Sequence, residues 1–261
     1  MKNIILSLLV LAAATNAPAA VISQWDFNTI PPDSGVGTGT LTPSVGTGVA
    51  STVGGVSAAF NTGSPSDPAA SGTDNSGISA TNFPAQSTGS GTAGFQFTSS
   101  TVGFKDISVS FDLRVGVAAS RFYQLQITND GLTYVNVSAG TGQGATTLGT
   151  NSVATISNTG SIQINADATS LSYGQGFSYM LAGGSAAENN ANFGFRVVSV
   201  FDPASGTQYV SSNTGTTGAY LPTTAVRVDM VTISGSVIPE PTSLAFLAMG
   251  SIVALRRRRR E

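Results

Sequence analysis

Asp106-Ile-Ser-Val-Ser-Phe-Asp-Leu-Arg-Val-Gly-Val117 decides the fold of this chain. Ile107, Val109, Phe111, Leu113, Val115 and Val117 fall on one face, and Asp106, Ser108, Ser110, Asp112 and Arg114 on the other. An apolar period of two sustained this long predicts an antiparallel strand with one face on a core and the other toward solvent. Downstream, Tyr123, Leu125 and Ile127 alternate with Gln124, Gln126 and Thr128. Asn129-Asp130-Gly131 follows, and these residue types tolerate the positive φ of a tight hairpin turn. Tyr134, Val135 and Val137 continue on the return strand.

The same reasoning predicts strands at 153–157, 160–165, 176–182, 193–201 and 225–234, with Val21 to Asn28 as the first. No segment between 21 and 237 combines a 3.6-residue apolar period with caps. Gly, Ser and Thr are plentiful while Leu, Glu and Lys are scarce, which is poor helix chemistry. The fold expected for the body, residues 20–237, is therefore all-β, an antiparallel β-sandwich or jelly roll. Residues 33–92 are rich in Gly, Ser and Thr, and Val36-Gly-Thr-Gly39 returns as Val45-Gly-Thr-Gly48. This stretch reads either as a linker or as ordered loops. Val49, Val53, Val56 and Phe60 favour loops carrying short edge strands.

The two ends differ from the body. Lys2, the apolar run Ile4 to Ala14 and Ala17-Pro18-Ala19 have the three parts of a secretory signal peptide, residues 1–19, with cleavage after Ala19 or Ala20. The alternative, a retained membrane anchor, suits the short apolar run less well. At the other end, residues 238–261 hold Pro239-Glu240-Pro241, an uncharged run over 242–255, and Arg256, Arg257, Arg258, Arg259 and Arg260 before Glu261. As a helix the run rises about 1.5 Å per residue, roughly 21 Å in all. A hydrocarbon core is about 30 Å thick, and snorkelling arginines close part of the difference. The arginines would stay cytoplasmic. A transmembrane helix over 242–255 and a signal-peptide helix at the start thus flank the expected β body.

The tail, through Pro239, Glu240, Pro241, Leu244 to Leu255 and the arginine block, resembles the PEP-CTERM sorting signal of Gram-negative bacteria. That resemblance implies export, a transient inner-membrane anchor, and processing near Pro-Glu-Pro by an exosortase-type membrane protease. Release or attachment at the cell surface or in the extracellular matrix then follows, often in organisms that make exopolysaccharide. The body resembles a jelly-roll family of such surface proteins at Ile22 to Asn28, Ser120 to Gln126 with Asn129-Asp-Gly131, Asn192 to Val198 and Val226 to Val231. Similar sandwiches serve as carbohydrate-binding modules.

Composition removes whole classes of chemistry. The chain has no Cys and no His, which excludes thiol catalysis, thiolate metal sites and every Ser-His-Asp arrangement. Lys105, Arg114, Arg121, Arg196 and Arg227 are the body's cations against eleven acids, an acidic balance that argues against nucleic acid as a partner. Asp26 and Asp229, on the first and last strands, are the candidate ligands for a structural Ca²⁺, on the analogy of jelly-roll modules that hold this hard cation beside those strands. The competing reading has Asp229 paired with Arg227 or Arg114 and Asp26 capping a turn. Trp25, placed with Phe27 by the alternation, is expected in the core rather than on a sugar-stacking surface. Tyr134, Tyr173 and Tyr179 are weaker sugar platforms. Glu188 reads as a solvated loop acid rather than half of a glycosidase pair. The expectation is a non-enzymatic surface or matrix protein with no catalytic residues, exopolysaccharide binding as the alternative and polysaccharide hydrolysis as the more distant one.

Overall fold

The computed structural model describes residues 19–71, 74–145, 153–165, 173–213 and 220–239. Among them the chain is all-β, with one 3₁₀ turn at Pro68–Ser71. The strands are β1 (Ala20–Trp25), β2 (Val45–Gly46), β3 (Val49–Val53), β4 (Ser57–Thr62), β5 (Ser76–Thr81), β6 (Gly94–Thr98), β7 (Phe104–Val115) and β8 (Phe122–Thr128). They continue with β9 (Val135–Asn136), β10 (Gly140–Gln143), β11 (Val153–Ile156), β12 (Ser161–Asn165), β13 (Gly174–Leu181), β14 (Gly194–Ser199) and β15 (Val226–Val237).

Two antiparallel sheets form a sandwich-like body. The first runs β10-β13-β7-β15-β1-β2, with β5 beside β15 and β4 beside β5. The second runs β11-β12-β8-β14-β6-β3, with β9 on β8. The Gly/Ser/Thr-rich stretch thus supplies β3, at the end of the second sheet, and the β4–β5 hairpin of the first. β7 lies at the centre of the first sheet, and its expected apolar face is buried from Ile107 to Val115.

Between the sheets runs a chain of aromatic contacts. Phe177 stacks on Phe111 at 5.5 Å, Phe111 meets Phe195 at 6.4 Å, Phe195 meets Phe97 at 5.2 Å, and Phe97 meets Trp25 at 5.3 Å. Such offset and tilted pairs add about 0.5–1.5 kcal/mol each to the burial of their area. Trp25 is fully buried and its Nε1–H donates to Leu41 O at 3.1 Å, which satisfies the one polar atom it carries inside. Tyr179 is also enclosed, its hydroxyl donating to Asn158 O at 2.6 Å. Neither ring offers a face to a sugar.

β15 shifts register against β7 twice, and the first shift bears on the acids. Its ladder with β7 shifts between Asp229 and Thr232, and Met230 sits there at φ 48°. A bulge of this kind inserts a residue and re-aims the side chains around it. Val228 and Val231 can therefore both enter the core, and Asp229 is turned to the other side.

Candidate functional site

Asp229 stands directly opposite Asp112 across the β15–β7 ladder. Both belong to the sheet face that strand alternation assigns to solvent, yet both are buried. The segment between β4 and β5 folds over them. Ser64 N–H donates to Asp229 Oδ2 at 2.5 Å, and Met230 N–H donates to Oδ1 at 2.7 Å. Asp112 accepts from Ser64 Oγ at 2.5 Å, from Ser66 Oγ, and from Gly176 N–H at 2.7 Å. Tyr173 lies over the same region, nearly buried, its hydroxyl donating to Thr62 O at 3.1 Å.

Facing carboxylates in a sheet repel each other, and burial raises the cost of their charge. Burial, reinforced by neighbouring Asp67 and Asp112 and partly offset by the N–H groups of Ser64 and Met230, pushes Asp229 up to about 8. Burial also raises Asp67, whose carboxylate accepts from Asn28 Nδ2 and Ala69 N–H, each at 2.8 Å.

Asp26 lies just past the end of β1, half-buried, and its Oδ1 accepts the N–H of Asn28 at 3.2 Å. The carboxylate in register with Asp229 is Asp112. Arg227 and Arg114 form the next facing pair on the same face of the sheet, beyond Val228 and Leu113, and Arg227 Nη1 donates to Thr62 O at 3.4 Å. One acceptor here has no partner: Asn75 Oδ1 is buried without a hydrogen bond. It and Asp229 Oδ2 crowd the same spot, where a side chain on Gly63 would begin. An unsatisfied amide oxygen beside a buried carboxylate fits the oxygen donors that Ca²⁺ takes. Asp229 and Asn75 would hold it. Among the described residues, however, no three acids converge as a metal-binding group.

The outer face of the second sheet carries a different arrangement. Ser51, Gln96, Arg196, Gln126 and Asn136 stand in one cross-strand row over β3, β6, β14, β8 and β9. Arg196 Nε donates to Gln96 Oε1 at 2.7 Å, and Gln126 Nε2 donates to Asn136 Oδ1 at 3.1 Å. The Arg196 guanidinium lies 3.5 Å from the centre of the Tyr134 ring, a cation–π contact. Of the three candidate tyrosines, Tyr134 is the one that remains half-exposed. Glu188 accepts from the N–H groups of Gly184 and Asp106 at 3.0 and 3.1 Å, so it closes a loop.

The third feature is the exit of the chain. β15 runs to Val237, paired with Phe104, and Ile238 N–H still donates to Gly103 O at 2.8 Å. Exposed Pro239 comes next. The first strand starts at the same end, Ala20 paired with Gly235. Residues 237–260 match the PEP-CTERM protein-sorting motif. No curated protein and no solved structure matches the chain. The PEP-CTERM motif indicates an exported protein that passes through a membrane and is sorted by an exosortase, itself a membrane protein. Glu240, Pro241, the run 242–255 and Arg256 to Arg260 lie outside the described residues, as does the expected signal peptide up to residue 18. Among the described residues no helix is long and apolar enough to cross a membrane.

Sequence reading missed Asp112, Ser64 and Asn75 as neighbours of Asp229. Alternation placed Asp112 toward solvent, and no local signal says that a loop starting near residue 63 closes over that face.

Proposed function

We propose that this chain is a bacterial surface or extracellular-matrix protein whose β body has a structural or interaction role and catalyses no reaction. The observation that carries this reading is the direct junction of the sorting motif to the last core strand, which makes the sandwich the cargo of the tail. The buried acids support it. Asp229 and Asp112 are tied to backbone and hydroxyl donors beneath a loop, whereas a glycosidase needs carboxylates flanking a bond in an open cleft. The finer fold assignment, a jelly roll, belongs to the same reading. In a Gram-negative host with an exosortase, deleting residues 1–19 should leave the chain in the cytosol. Deleting the exosortase should leave it in the inner membrane. Surface display unchanged by both deletions would overturn the proposal.

A second reading is favoured by the polar row on the second sheet. A half-exposed tyrosine beside amides and a guanidinium offers stacking and hydrogen bonds to an extended sugar chain. In this reading the body recognises exopolysaccharide. Tyr134→Ala and Arg196→Ala should each weaken binding to isolated exopolysaccharide at least tenfold, with the melting temperature little changed. Undiminished binding by both variants would remove it.

A further inference from the structure

The sorting motif begins inside the fold. Its match starts at Val237, which is still in register with Phe104 on β7. The last hydrogen bond of the sheet among the described residues, Ile238 N–H to Gly103 O, comes one residue before Pro239. If residues 242–255 lie in the bilayer, Pro239 to Pro241 alone join the body to it, at most about 11 Å of extended chain. A protease must hold several extended residues on both sides of the bond it cuts, and folded strands resist this until they open locally.

The end of β15 is built to open. Beyond Gly235, which pairs with Ala20 at the start of β1, the strand is held by β7 alone among the described residues. The β7–β15 ladder shifts register between Ser234 and Ser236, and Asp106 on β7 takes φ 53° there. Val237 and Ile238 are 49% and 36% exposed, while Val231 and Ile233 are fully buried. The three residues after Gly235 therefore have few apolar contacts to lose, whereas the strand before it is anchored in the core.

Resting on the sorting reading above, we infer that Ser236–Ile238 is a latch that must peel from β7 before the sorting protease can cut near Pro-Glu-Pro. Release doubles the free chain between body and membrane to about 22 Å. The body thus sets the rate of its own sorting through the opening of one strand end.

The test locks the latch. Ser236 and Lys105 are paired in register, and facing residues of an antiparallel pair lie within disulfide range. The chain has no native cysteine to interfere. The full-length chain carrying S236C and K105C is expressed in an exosortase-bearing Gram-negative host, and the disulfide is verified by thiol blocking. Tail removal is expected to slow at least tenfold relative to either single variant. Inserting eight Gly/Ser residues after Ile238 in the locked chain should restore the single-variant rate. Trimming of the verified disulfide form at the single-variant rate overturns the latch and leaves sorting intact. Failure of the insertion to restore trimming also overturns it. If the wild-type chain is never trimmed, the sorting reading falls and takes the latch with it.

Discussion

Asp229 is an acid held where an ion is costly. Its ordinary pKa is about 3.9, and in the folded body it is about 8. Between those values the folded state keeps a proton that the unfolded chain has released. Stability in chelator should therefore fall as pH rises from about 4 to about 8 and level off above that. Asp67, also raised by burial, adds to the same slope. One pKa unit corresponds to about 1.4 kcal/mol, so the melting temperature should drop measurably between pH 5 and pH 8. Asp229→Asn, which cannot ionise, should flatten the slope whatever it does to the midpoint. Excess Ca²⁺ should raise the midpoint more at pH 8 than at pH 5, because a cation competes with the proton for the carboxylate. No calcium shift at either pH would remove the cation site. Trp25 makes the complementary case: period-two counting placed it in the core and the structure buries it. Trp25→Ala should cost about 3–5 kcal/mol in denaturant unfolding. The difference in legibility is physical. A core residue is marked by its own alternation, while the burial of Asp229 depends on a loop roughly 165 residues away in sequence, since Ser64 supplies its N–H.

β15 is a strand with two characters. Val226, Val228, Val231 and Ile233 are buried between the sheets, and Val237 and Ile238 are exposed at the exit. Ile233→Ala should destabilise the body by about 2–5 kcal/mol, and Val237→Ala by no more than about 0.5 kcal/mol. Amide exchange should divide the same way, with Val228 and Ile233 protected to the level of global unfolding and Ser236 and Ile238 exchanging by local opening. Equal protection along the whole strand would contradict this division. The long alternating strands β7, β8, β14 and β15 were legible from sequence because each carries its own period. β5 (Ser76–Thr81) was not, since Gly, Ser and Ala around a single Ile give a strand little apolar signature, and neither was β6 (Gly94–Thr98), where Phe95 and Phe97 alternate with polar neighbours for only two apolar positions. Their place is set by the neighbours β14, β3, β15 and β4.

The described body is a two-sheet sandwich whose first strand begins and last strand finishes at the same end, where Ala20 faces Gly235. The tail of Pro-Glu-Pro, apolar run and arginines marked an exported, exosortase-sorted chain, and the absence of His and Cys narrowed its chemistry. They did not tell what the sandwich touches on arrival, because a binding face is assembled from distant strands, as the row from Ser51 to Asn136 is. The central claim is that the tail is removed during export while the body is kept. Its most direct test is the intact mass of the protein recovered from the surface or medium of an exosortase-bearing Gram-negative host. The predicted mass corresponds to a body beginning near Ala20 and ending near Pro239–Pro241, apart from any group attached at the new end. A recovered protein that still carries Arg256 to Arg260 would contradict the account.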